Sequence, residues 1–136
     1  MTTRTKAVPE GFHTLTPHLI VKGASQAIEF YKKAFGAEEI FRHDDQSGAV
    51  VCNLSVNGAS FWVSDEAPDF QNFSPETLKG GTVRMVLTID DPDTAFRRAV
   101  EAGATVVVEM KNAYGWYLGR IVDPFGHHWE IGKPER

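Results

Sequence analysis

The chain has 136 residues, 42% of them apolar and 24% charged, with a formal net charge of −4; this length suits one compact domain, or two very small modules sharing a core. The composition is ordinary for a soluble globular protein, and the slight acidity makes no electrostatic case for nucleic acid or an anionic membrane. No apolar run approaches a bilayer span and the opening MTTRTKAVPEG lacks the apolar core of a secretory signal, so a cytoplasmic protein is expected.

Residues 1–10 read as a frayed, disordered tail ahead of a single domain over 11–136. An extended apolar run, Leu15 to Val21, comes first. A helix follows, which Ser25 can cap and Gly36 can stop, with Ala27, Ile28, Tyr31 and Phe35 on its buried face. A strand over Glu38–Arg42 leads through the polar turn HDDQSG, which holds His43, to strands Ala49–Val56 and Ala59–Ser64. Asn57-Gly58 joins those two as a hairpin. In the first of them Val50, Cys52, Leu54 and Val56 share one face, and Asn53 and Ser55 share the other. Cys52 is the only cysteine, which excludes an internal disulfide and leaves a thiolate zinc cluster unsupported. It reads as a small buried hydrophobe.

The turn-rich stretch at about 66–81, DEAPDFQNFSPETLKGG with its flanks, reads as a linker, with Asp65 and Glu66 solvated. The pattern then repeats. A strand spans Thr82–Ile89, and Asp91 or Asp93 caps a helix whose Phe96, Ala99 and Val100 face inward, ended by Gly103. A strand over Thr105–Met110, an aromatic loop KNAYGWYLG, a strand at Arg120–Val122, the turn DPFG and a last strand, His127–Ile131, complete it. Both halves read strand–helix–strand–strand–strand, module 1 at about 11–65 and module 2 at about 82–134. The expected fold is α+β: two tandem βαβββ modules whose curled mixed sheet forms a cup with the helices outside. Each module has one helix for one sheet face, so the other faces line a cavity where a small molecule can bind.

The stretches TPHLIVKGASQAIEFYKKAFGAEEIFR, TIDDPDTAFRRAVEAGA and YLGRIVDPFGHHWEIGKP, in this order, resemble the vicinal oxygen chelate superfamily, the glyoxalase, bleomycin-resistance and dioxygenase group. They look most like its PhnB-like branch. The resemblance implies a homodimer, with cups built within one chain or by swapped halves. It also implies four cup-facing metal-ligand positions. Carried over, these fall at Thr16, with His18 two residues on; at Phe61 or Trp62; at Arg84; and at Glu130. Only Glu130 is a ligand type. An arginine cannot donate a lone pair and repels a divalent cation.

Strand alternation places His128 and Glu130 on one face and His127, Trp129 and Ile131 on the other. The apolar pair marks the helix side, so His128 and Glu130 point into the cup. His127 is expected to hydrogen-bond near a dimer seam or a sheet edge, and His13 and His43 carry no functional reading. Arg84 also points inward, either paired with Glu130 or waiting for a carboxylate- or phosphonate-like anion. His18, Trp62, Asn53, Trp116 and Tyr117 complete the candidate lining, with Trp62 alternatively a core residue and the aromatic loop alternatively a dimer contact. Glu109 reads as solvated.

The favoured reading is a metal-free small-molecule-binding cup with no cofactor. The alternative is a metal-dependent lyase, isomerase or dioxygenase. In that reading His18, His128 and Glu130 hold zinc, nickel, iron or manganese, and a carboxylate moves the proton. Between the two lies a metal-free enzyme with Glu130 as the catalytic base and Arg84 as electrostatic stabiliser.

Overall fold

The structure, a computed structural model, describes residues 7–135. Most of the expected tail therefore lies outside the described residues. Module 1 runs β1 (His18–Val21), α1 (Ala24–Phe35), β2 (Glu38–Asp44), β3 (Val50–Val56) and β4 (Ala59–Asp65). A single 3-10 turn, Pro68–Phe70, and the short α2 (Pro75–Leu78) carry the chain across. Module 2 repeats the order with β5 (Arg84–Thr88), α3 (Pro92–Glu101), β6 (Thr105–Ala113), β7 (Trp116–Val122) and β8 (His128–Pro134). The sheets have the same layout, β1-β4-β3-β2 and β5-β8-β7-β6. In each, the first strand pairs parallel with the last and the other pairs are antiparallel. The α+β class and the tandem βαβββ modules are as the sequence predicts.

Local chemistry accounts for most boundaries. Gly36, at φ 70°, ends α1, and its amide and that of Ala37 return to the carbonyls of Lys32 and Tyr31. Asp91 caps α3 by accepting from the Thr94 amide at 3.2 Å. Asn57 and Gly58 both take positive φ, 51° and 87°, as a two-residue hairpin turn requires.

Five expectations need correction. Ser25 does not cap α1; the carboxylate of Asp65, at the end of β4, accepts from the amides of Gly23 and Ala24 at 3.2 and 2.8 Å and from Val50 N at 2.8 Å. Asp65 is thus a structural group rather than a solvated one. So is Glu66, which accepts from the Ser74 amide and the Thr77 hydroxyl at 2.9 and 2.8 Å. Val100 does not face inward: it is 38% exposed, and Ala95 takes its place beside Phe96 and Ala99. Finally, the aromatic loop is a second hairpin. β6 and β7 run to its tip, where Tyr114 and Gly115 take φ of 58° and 80°.

The modules meet through their helix sides. α1 lies against α3, and the ring of Phe35 packs at a tilt against Trp129 of β8 with centroids 4.7 Å apart. Phe61 of β4 reaches the same indole at 5.5 Å. One continuous core therefore lies between the sheets. The sheets do not close on each other, and each leaves its other face uncovered.

Candidate functional site

The uncovered face of the second sheet carries the charged residues. In register, Arg84 lies beside His128, and Glu130 lies between Val86 and Arg120. Strand alternation puts all of them on the face opposite Trp129 and Ile131, which are buried on the helix side at 3% and 0% exposure. Arg84 Nε sits 3.3 Å from Glu130 Oε1. Around this pair opens a cavity of about 430 Å³, its floor formed by Val86, Val108 and Leu118 and its rim by Trp116, Tyr114 and Lys111. An apolar floor with a few convergent polar groups is the usual form of a small-molecule site. Arg120 Nε, in this cavity, and His128 Nδ1, in a smaller recess beside it, are buried without a hydrogen-bond partner.

The uncovered face of the first sheet is neutral and aromatic. His18, Trp62, Asn53 and Phe41 form one row across all four strands. The indole of Trp62 is flanked by Phe12, Phe41 and His18, with centroids at 5.8, 6.0 and 6.4 Å. Asn53 is fully buried, and neither its amide nitrogen nor its oxygen has a partner. His18 Nε2 shares a hydrogen bond with Ser64 Oγ at 2.8 Å. Desolvation holds the His18 imidazole below its usual range.

Arg84, Glu130, His128 and Trp116 are thus together on one sheet, and His18, Trp62 and Asn53 on the other. The register ambiguity is resolved: Phe61 is buried on the helix side at 4% exposure, so the outward aromatic is Trp62. Tyr117 does not join the lining. It alternates away from Trp116 and donates to Asp93 of α3 at 2.5 Å, which also raises its phenol pKa. His127 hydrogen-bonds to the Ile20 carbonyl at 2.8 Å, at the edge of the first sheet. Arg120 and Lys111 are lining residues that the sequence reading missed. The signal was present: Trp116, Leu118 and Arg120 alternate on one face once the strand is extended back to Trp116.

Within one chain the donor set does not assemble a divalent-metal site. Among the described residues of one chain, no three His, Cys, Asp or Glu side chains are grouped to hold an ion. The four positions that the resemblance implies as ligand slots hold Thr16, Trp62, Arg84 and Glu130, and the one carboxylate among them is ion-paired to a guanidinium. His18 and His128 do line one smaller recess of about 220 Å³, but Phe73, Leu78 and Val83 of the connecting segment line it with them.

A profile of the Glyoxalase/Bleomycin resistance protein/Dioxygenase superfamily matches residues 11–131. The chain belongs to this superfamily. Within it, the chain is 40% identical over 127 residues to the uncharacterized protein Mb0911c of Mycobacterium bovis, covering 90% of this chain and 84% of that one. The structure of the Arabidopsis thaliana gene product At5g48480 is similar with a TM-score of 0.71 at 33% identity, over 90% of this chain and 99% of that chain. The fosfomycin resistance protein FosX from Listeria monocytogenes shares the fold, with a TM-score of 0.70 at 17% identity over 90% of this chain and 93% of that chain.

Proposed function

We propose that this superfamily member is a metal-free, PhnB-like binding protein that holds a small organic molecule in a cup. The observation that carries the reading is the Arg84–Glu130 pair, 3.3 Å apart, inside a cavity of about 430 Å³ floored by apolar side chains. The guanidinium supplies the positive charge that a carboxylate at a superfamily ligand position otherwise receives from a metal. Trp116 gives the cavity an aromatic wall, and Asn53 gives the other face a polar anchor.

The working unit in this proposal is a cytoplasmic homodimer. Within one chain the uncovered faces are not roofed by each other, and Phe41 and Val86 lie open on them at 48% and 61% exposure. Apposing the first sheet of one chain on the second sheet of its partner completes a cup and buries both. Among the described residues, no helix is long and apolar enough to cross a membrane.

Light scattering at micromolar concentration is expected to give twice the chain mass. Metal analysis of protein purified without added chelator is expected to give far less than one transition metal per chain. One metal per chain, lost in Glu130→Ala, would overturn the proposal in favour of the metal-dependent enzymes. Aromatic compounds that quench tryptophan fluorescence are expected to lose that effect in Trp116→Phe and to be recovered chemically unchanged.

A further inference from the structure

We infer that Arg84, Arg120 and His128 form an anion subsite within the cup, which takes the carboxylate or phosphate group of the ligand and draws Arg84 away from Glu130. The inference rests on the cup reading above and names the chemical class of its occupant. It starts from a surplus of donors. Three cations, Arg84, Arg120 and Lys111, line the cavity against one carboxylate, Glu130. Arg120 lies directly opposite Glu130 across β7 and β8, yet the carboxylate is ion-paired with Arg84 instead.

The Arg120 Nε–H is buried with nothing to accept it. His128 Nδ1, also buried and unpartnered, is a second donor in its Nδ1–H tautomer. Both residues, with Arg84, border one recess of about 240 Å³ beside the main cavity. Buried donors without acceptors are costly, and a planar guanidinium is shaped for the paired oxygens of a carboxylate or phosphate. An anion satisfies Arg120 and His128 at once. It also competes with Glu130 for Arg84, so binding frees the Glu130 carboxylate beside the ligand. The apolar floor and Trp116 then receive the uncharged part of the molecule.

The test uses calorimetry on the intact protein with benzoate, inorganic phosphate and neutral benzamide. Benzoate or phosphate is expected to bind at least about 10-fold more tightly than benzamide, the effect of one charge-assisted contact. Whichever anion binds better identifies the head group. Arg120→Gln is expected to weaken that anion about 10-fold or more, while Lys33→Gln, on the exposed side of α1, leaves it unchanged. Glu130→Gln is expected to tighten it several-fold, because the competitor for Arg84 is gone; a misfolded variant cannot give a gain. Equal binding of benzoate and benzamide, still lost in Trp116→Phe, would overturn the subsite and leave the cup standing. Failure of both anions to bind, or weaker binding in Glu130→Gln, overturns it too. Absence of all probe binding together with one tightly held metal per chain overturns the cup reading itself.

Discussion

The phenol of Tyr31, on α1 of the first module, donates to the carboxylate of Asp123, in the turn before the last strand of the second, at 2.5 Å. Asp123 is 3% exposed. It also accepts from Trp129 Nε1 at 2.9 Å and from the amides of Phe125 and His127 at 2.9 and 3.0 Å. One buried carboxylate thereby ties the DPFG turn, the core indole and the other module's helix together. Burial, followed by the adjacent carboxylate, holds the Tyr31 phenol well above its usual pKa range. Tyr31→Phe is expected to cost about 1–3 kcal/mol, the range for removing one partner from a buried charge-assisted bond. Asp123→Ala, which strands four donors, should cost more. Urea unfolding of the two variants checks both the size and the order.

Cys52 is fully buried on the helix side of β3. Desolvation, with a contribution from Glu39, pushes its thiol up to about 11. The folded protein should therefore not react with a disulfide reagent at pH 8 over an hour, and should react with one equivalent once denatured. Rapid labelling of the native thiol would contradict the burial.

Gly132 is the more crowded of the two glycines within the strands of the second sheet. A Cβ there would lie 2.4 Å from the Tyr117 carbonyl oxygen and 2.7 Å from Leu118 Cβ. Gly132→Ala is expected to lose about 1–3 kcal/mol, because the obstacle is backbone that must move. A thermal melt unchanged from wild type would show that β7 and β8 are further apart than described.

The His18 imidazole, lowered by desolvation, should titrate below the usual value of about 6.5. The unfolded chain then takes up a proton before the folded one does. Stability falls as pH drops from about 6.5 towards the folded-state pKa, and is flat with respect to this group above and below that window. The His18 resonances followed by NMR give the midpoint, and His18→Gln should remove this part of the pH dependence. A midpoint above 6.5 would contradict it.

Strand alternation carried the sequence reading where both neighbours along the strand were informative. It placed Glu130 and His128 opposite Trp129 and Ile131, and Cys52 opposite Asn53, because a period of two admits no compromise between faces. It failed where the deciding partner is distant in sequence. The α1 amides are capped by Asp65, 41 residues from Ala24, so a local search for Ser, Thr, Asp or Asn found Ser25 instead. It failed again where a turn lacks its usual residues. Asn57-Gly58 announces a hairpin, but Tyr114-Gly115 puts a tyrosine at φ 58°, and that concealed residues 116–119 of β7 and with them the alternation that turns Arg120 into the lining.

The matched backbones of the two modules carry unmatched surfaces. Where the first sheet presents His18, Trp62, Asn53 and Phe41 in a row, the second presents Val86, Glu130 and Arg120, with Arg84 reaching Glu130 from the edge strand. In the proposed cup, a ligand held between such surfaces would keep its anionic group on the second sheet and meet the aromatic row of the first on its other side, so its two sides are not interchangeable. The pseudo-symmetry of the scaffold is thus confined to the main chain, and chemical polarity is written onto it by side chains alone.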